Sequence, residues 1–347
     1  MDKSILLSVI VPCYNVEQYV QKCVESLINI TLEEVEFIFV DDGSSDQTYN
    51  ILLSYKDARL RVYKKQNGGP SSARNYGLEK AKGDFIMFVD GDDYIFSDNI
   101  EKIIQELDSS KELICFKYTR KDKNDISEHI QEGISLCSAK KVREGILNVD
   151  SQLIQELIKK GYHFHGPWGK CYSRKIINEF VVRFPKNLRW GEDICFNLMY
   201  LSHISQINLV PLVGYFYRLN EVSLISSYYP NKGSQMKRLI KEVWKLVEKT
   251  ELEETYKFFA ARQYLYILQE EICNPMNKEK YSIKKKKAWK TIRENELIKD
   301  AIDTVKLKEM GKKPAILVLL LRIKCFFLIY MLFNFKFCIV SKRKSKL

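Results

Sequence analysis

No CxxC pair occurs among the nine cysteines, and their number is odd, so neither a zinc knuckle nor a disulfide framework is indicated. A reducing compartment, with the cysteines as core fillers, is the simplest setting. Neither GxxxxGK[ST] nor GxGxxG is present, which weakens kinase and dinucleotide-binding readings. Uninterrupted apolar runs of membrane-spanning length are also missing: the most apolar stretch, 314–340, is broken by Arg322, Lys324 and Lys336. No internal repeat is visible. The opening MDKSILLSVIVPCY mimics a secretion signal, but its apolar run is too short for an h-region. Pro12 followed by polar residues suits a buried strand leading into a loop, so the terminus reads as mature.

What is present is a chain of 347 residues, 46% hydrophobic, enough for one large domain with an appendage or for two domains. The net charge of +12 is uneven, with basic residues crowded into the last third at 284–287, 312–313 and 342–346. Through the first hundred residues, strand-like runs at 6–11, 36–40, 60–63 and 85–89 alternate with helical spacing at 17–28, 48–55 and 71–81. A further helix near 98–107 and a strand near 113–118 extend the unit. That alternation predicts an α/β fold with a doubly wound sheet, whose ligand lies beyond the C-terminal ends of the strands. Three polar clusters fall at such ends: 12–15, 41–46 and 90–93. The polar stretch 120–133 reads as a surface loop, 192 onwards as a helix beginning at an acidic pair, and the chain beyond 233 as helical to its end.

Each cluster alone has an ordinary structural reading. VDDGSSD at 40–46 is good turn chemistry: Gly43 permits a tight bend and Ser44 or Ser45 can cap the next helix. Asp41 and Asp42 at such a strand end can also accept hydrogen bonds from a base or a ribose. NGGPSSARNYG at 67–77 places two glycines and a proline before a helix, where backbone can approach an anion closely. FVDGDD at 88–93 sets Asp90, Asp92 and Asp93 side by side. Unneutralised, they would raise one another's pKa values; Mg²⁺ or Mn²⁺, shared with a phosphate, would remove the repulsion. GED at 191–193 could be nothing more than acids at a helix N-terminus.

Taken in order, VIVPCYN at 9–15, VDDGSSD, GGPSSARNYGL at 68–78, FVDGDD and GED resemble family 2 glycosyltransferases of the GT-A, nucleotide-diphospho-sugar transferase fold, of the bacterial polysaccharide type. The resemblance covers about residues 5–220 and is strongest in the first hundred. It implies a GT-A, Rossmann-like, mixed and mainly parallel sheet flanked by helices. The catalytic domain would span 1–220, with a nucleotide half at 1–119 and an acceptor half at 120–220, followed by a helical, basic C-terminal extension at 221–347.

Carried over by position, the resemblance implies that Pro12 and Tyr14 line a uracil pocket, with Asn15 and Asp41 beside them and Asp42 on the base. Gly69, Arg74 and Asn75 would border the sugar diphosphate, and Asp90 would reach the ribose or sugar. Asp92 would hold Mn²⁺ or Mg²⁺, with Asp93 either touching the metal or shaping the turn. Asp193 matches the general base, with Glu192 beside it. Trp168, Lys170 and Trp190 are acceptor-side candidates: the rings could stack on a sugar and Lys170 could face phosphate, while His163 and His165 could help bind metal. The implied reaction is inverting transfer of one hexose or N-acetylhexosamine from a UDP-sugar to a lipid-linked saccharide acceptor in capsule, exopolysaccharide or O-antigen synthesis. QxxRW does not follow GED, and Arg189 and Trp190 precede it, which argues against processive synthesis.

The apolar, lysine-flanked tail reads as a helix lying in an anionic membrane interface, on the cytoplasmic face of the plasma membrane. A core helix or a homodimer contact is its other reading. Interleaving of its bases with aliphatic runs argues against a nucleic-acid partner. The competing functions are a sugar-nucleotide nucleotidyltransferase, which would want a glycine-rich, basic first loop that VPCYN lacks, and a non-catalytic membrane-associated scaffold.

Overall fold

The structure, a computed structural model, describes residues 4–120, 133–219 and 232–344. The chain divides into two compact units, one made of Met1–Ile146 and Leu153–Asn220, the other of Leu147–Gln152 and Glu221–Leu347. The loop expected at 120–133 lies almost wholly outside the described residues, as do the side chains of the basic cluster at 342–346.

In the first unit the expected alternation is present: β1 (Leu7–Cys13), α1 (Val20–Ile28), β2 (Val35–Asp41), α2 (Thr48–Ser54), β3 (Leu60–Lys64), α3 (Pro70–Lys80) and β4 (Phe85–Phe88). The chain continues through β5 (Tyr94–Ile95), α4 (Ser97–Gln105), β6 (Leu113–Thr119), β7 (Ser135–Ser138), α5 (Ala139–Leu147), α6 (Gln152–Lys159), β8 (Lys170–Ser173), α7 (Arg174–Glu179), α8 (Glu192–Leu201) and β9 (Gln206–Phe216). Every residue of β2 is buried, as expected of a strand covered on both faces in a parallel sheet. Helix α1 buries Val20, Cys23, Val24 and Leu27, one face at i, i+3, i+4 and i+7. It starts later than the spacing from 17 suggests because Glu17 is held in a loop: its amide donates to Asp46 Oδ2 at 3.1 Å and its carboxylate accepts from the Gln47 amide at 2.9 Å.

The sheet order is β3-β2-β1-β4-β8-β6-β9-β5, with β7 also on β9. Strands β1, β2, β3, β4, β6 and β9 run one way, and β5, β7 and β8 run against them, so the sheet is mixed and mainly parallel. This is the GT-A arrangement. Strands β8 and β9 have no counterpart in the periodicity. Pro211 and Gly214 interrupt β9 where its register against β6 slips, from Phe116↔Val210 to Lys117↔Val213 and then to Tyr118↔Tyr215. A proline cannot donate to a ladder and is tolerated at a bulge.

The second unit is helical: α9 (Lys232–Val247), α10 (Glu253–Ile267), α11 (Tyr281–Glu294), α12 (Glu296–Thr304), α13 (Lys312–Arg322) and α14 (Phe326–Lys344). Asp150 ties it internally, accepting from the Gly311 amide at 2.7 Å and pairing with Arg262. Among the described residues, no helix is long and apolar enough to cross a membrane.

Candidate active site

The loops after β1, β2 and β3 are laced together by short polar side chains. Asn15, in the left-handed region at φ 51°, accepts from the Ser45 amide at 2.9 Å, and its own amide donates to Ser44 Oγ at 3.0 Å. Asparagine tolerates that backbone region better than most residues. Tyr14 beside it is 52% exposed, free to cover a flat ligand. Asp41 is fully buried; its Oδ1 accepts from the Ser44 amide at 3.3 Å, and Lys64 Nζ stands 3.9 Å from Oδ2. Asp42 accepts from the Gly68 amide at 3.1 Å, from the Gly69 amide at 2.7 Å and from Lys65 Nζ. Its carboxylate therefore holds the glycine loop in place. Gly43 has φ +76°, and a Cβ there would come within 2.9 Å of the Asn67 amide nitrogen, so both conformation and space demand glycine.

Helix α3 begins with Gly69 at φ 83° followed by Pro70, a residue suited to a first helical position. One turn on, its buried face carries Arg74 and Asn75. Arg74 Nη2 donates to Asp90 Oδ1 at 2.8 Å and Nη1 to Glu192 Oε1 at 3.2 Å, while the guanidinium lies over the Phe184 ring at 5.3 Å. One cation thus joins the acidic turn after β4 to the acidic start of α8. Burial works against its charge, but Asp90 and Glu192 outweigh that and raise its pKa. Asn75 exchanges two hydrogen bonds with the Phe184 backbone, at 2.8 and 2.9 Å, pinning the approach to GED onto α3.

The aspartates after β4 separate by environment. Asp90 is partly exposed and bound to Arg74. Asp92 is partly exposed, and its backbone oxygen accepts from Arg218 Nε at 2.8 Å. Asp93 is 1% exposed, with Oδ2 accepting from Tyr215 OH at 2.6 Å and Oδ1 from the Arg218 amide at 2.8 Å. Burial, reinforced by the charges of Asp90 and Asp92, pushes its carboxyl up to about 8. These contacts tie the turn after β4 to the end of β9. Tyr215 and Arg218 were not singled out from the sequence. They follow the bulges of β9, and only strand pairing brings them to a turn more than a hundred residues earlier.

At the start of α8, Gly191 takes φ 78°, followed directly by Glu192 and Asp193. Burial raises the Glu192 pKa despite Arg74. Burial, then the neighbouring charge of Glu192, pushes Asp193 up to about 7, with Arg74 pulling the other way. A carboxyl near 7 is poised to take a proton at neutral pH.

The segment 163–170 is built from the inside. Lys170 is 1% exposed and spends its three N–H bonds on carbonyl oxygens: His163 at 2.6 Å, Gly166 at 2.8 Å and Trp168 at 3.2 Å. Its ammonium therefore has no donor left for phosphate. Trp168 is buried in a column, stacked 4.3 Å from His163 and 4.9 Å from Tyr215. Burial, then the Lys170 charge, lowers the pKa of His163 far below its usual value and takes His165 to about 4. Trp190, by contrast, is half-buried directly beside Gly191, with Arg189 5.4 Å over its ring. Replacing Lys170 with methionine strands three buried carbonyls, and an unfolding free energy lowered by about 1–3 kcal/mol for each one left unsatisfied is expected in urea titrations.

Among the described residues, no cluster of three or more His, Cys, Asp or Glu could hold a metal ion alone. A hard ion shared with a diphosphate does not need one, since one or two carboxylates, phosphate oxygens and water complete its shell. Asp92 offers such a carboxylate at the mouth of the crevice.

Comparison with known proteins agrees with this geometry. Residues 8–181 match the family model for glycosyl transferase family 2. The uncharacterized glycosyltransferase EpsJ of Bacillus subtilis (strain 168) is 31% identical over 233 residues, 65% of this chain and 64% of EpsJ. The minor teichoic acid biosynthesis protein GgaB of the same organism is 34% identical over 225 residues, 62% of this chain but 23% of GgaB. The match thus spans less than two thirds of either relative. Among solved structures, S. aureus TarS 1-349 in complex with UDP-GlcNAc superposes with a TM-score of 0.66 at 22% identity, covering 98% of this chain and 92% of that one. With its motifs gathered on one GT-A sheet and half of its length matched by the family model, the chain belongs to glycosyl transferase family 2.

Proposed function

We propose that the protein is an inverting, metal-dependent glycosyltransferase. It moves one hexose or N-acetylhexosamine from a UDP-sugar to a saccharide acceptor, a lipid-linked glycan of a bacterial surface polysaccharide. The observation that carries this reading is Arg74, whose single guanidinium bridges Asp90 on the donor side and Glu192 on the acceptor side. UDP-GlcNAc and teichoic-acid synthesis in the relatives' names support the donor class and the kind of acceptor.

In this reading Tyr14 and Pro12 cover the uracil, and the Asn15, Asp41 and Asp42 loops shape the nucleoside side. Gly69 and α3 face the diphosphate. Mn²⁺ or Mg²⁺ on Asp92 would supply charge neutralisation for the departing diphosphate. The acceptor hydroxyl oxygen bonds to the anomeric carbon on the face opposite UDP. As that bond forms, the bond from the anomeric carbon to the diphosphate oxygen breaks and its electron pair leaves with UDP. The hydroxyl proton goes to the Asp193 carboxylate. One displacement inverts the anomeric centre. Trp190 is the acceptor-stacking candidate that stands nearest to Asp193 in sequence.

The exposed apolar residues of α13 and α14 support a peripheral site of action on the inner face of the plasma membrane, where a lipid-linked acceptor is held. The test is UDP release from a panel of UDP-sugars with Mn²⁺, Mg²⁺ or EDTA. Turnover is expected to need the metal and to fall at least about a hundredfold in Asp92→Ala. Metal-independent turnover, or an active Asp92→Ala, would remove the metal from the mechanism. Release of pyrophosphate from UTP and a sugar 1-phosphate, with no UDP released from any UDP-sugar, would favour a nucleotidyltransferase, and no turnover with either set of substrates a scaffold.

A further inference from the structure

Within the helical unit, α11, α12 and the end of α13 line an open, solvent-facing cavity of about 680 Å³. Ser282, Lys285, Lys286, Trp289 and Arg293 line it from α11, at the three- and four-residue spacing of one helix face. Lys299 faces them from α12, with Arg322 and Lys324 beyond. Asp303 is the one carboxylate among the described lining residues. Arg322 is fixed to the wall, donating to the Ile302 and Val305 carbonyls at 2.7 and 2.6 Å.

Pairing on α11 is selective. Lys287 and Lys290, away from the cavity, pair with Glu279 and Glu294. Lys285, Lys286, Arg293, Lys299 and Lys324 form no ion pair among the described residues. Cations that outnumber the one lining carboxylate repel one another, and an anion among them relieves that repulsion. Several ammonium groups, a guanidinium and an indole around one space match a phosphate joined to an apolar body.

The apolar body has a surface to match. Helix α14 buries Phe326, Ile329 and Phe333, yet its other face is equally apolar, with Phe327, Met331 and Phe335 at 58%, 51% and 68% exposure. A helix apolar on both faces needs a second apolar environment. Ile323, 63% exposed, lies between the cavity residues Arg322 and Lys324, so the cationic rim and the apolar face are continuous along the chain. Two-fold pairing with a second copy would bring this cationic rim towards itself, which disfavours a dimer as occupant.

We propose that the helical unit docks on an anionic phospholipid surface, seating a phosphate headgroup in the α11–α13 cavity while the outer face of α14 enters the acyl boundary. The inference deepens the membrane part of the proposed function and rests on it. Lysines that pair headgroups while apolar neighbours insert give a lipid-specific hold rather than general stickiness.

The test is co-sedimentation of the full chain with vesicles of phosphatidylcholine, alone or mixed with phosphatidylglycerol. Wild type is expected to bind the mixed vesicles selectively. Lys285→Glu with Lys299→Glu should weaken binding at least about tenfold, whereas Lys287→Glu with Lys290→Glu, the same change in charge, should weaken it much less. Lys285→Gln with Lys299→Gln should fall between, and Phe327→Ser with Met331→Ser should also release the protein. Unchanged melting transitions confirm folding. Equal loss in both reversal pairs, indifference to phosphatidylglycerol, or full binding by the Phe327/Met331 variant would each overturn the proposal. So would a dimer that the latter variant dissolves without any vesicle binding. Sedimentation needs no turnover, so a failure of the glycosyltransferase reading would show in UDP release and not here.

Discussion

Asp193→Asn is expected to lower kcat about 10²–10⁴-fold while leaving the KM for the UDP-sugar nearly unchanged, the range a lost general base costs. Asparagine keeps the shape and the acceptor oxygen but cannot take the proton of the acceptor hydroxyl. The pH profile gives an independent check. Burial and Glu192 place Asp193 near 7, so the wild-type rate should fall about tenfold for each pH unit below that value, as the base becomes protonated. The residual rate of Asp193→Asn should lack this acidic limb. A variant with wild-type kcat, or one that keeps the limb, would show that the base lies elsewhere.

The second large effect belongs to Arg74. Arg74→Met leaves Asp90 and Glu192 without their shared cation, and removing one partner of a buried ion pair costs about 3–5 kcal/mol. Urea unfolding should show that loss, and Arg74→Met with Glu192→Gln should recover part of it. Activity should not recover, because the two acidic motifs remain uncoupled. Arg74→Lys is the sharper probe: one ammonium cannot span both carboxylates in the guanidinium's fork geometry. Arg74 lowers the Asp193 pKa, so weakening that influence moves the acidic limb to higher pH. An unshifted limb with intact stability would mean that the bridge has no bearing on the base.

Much of this site was legible because its chemistry is local. Gly43, Gly69, Pro70 and the aspartates of 90–93 each answer a constraint set within a few residues, a tight turn, a helix start or a strand mouth. The period-two and period-3.6 patterns through residue 88 are equally local, so strand and helix order could be read directly. Strand β9 was not legible: Pro211 and Gly214 break its pattern, and they are tolerated only because a bulge forms against β6. Tyr215 and Arg218 were missed with it. Lys170 and Asn75 show the converse, polar residues of suggestive type whose bonds go to backbone atoms that no spacing rule could identify.

The sequence by itself determined the α/β order, the strand ends at which the polar motifs lie, the residue types able to serve a sugar nucleotide, and the basic, apolar character of the tail. Only the tertiary structure decided the surroundings of each carboxylate. It turned Asp93 inward to Tyr215, left Asp92 partly open, and joined Asp90 to Glu192 through Arg74. The reason is physical: charge and hydrogen-bonding capacity belong to a residue, but burial and partners arise from chain segments far apart in sequence, and these set which form of each group is stable.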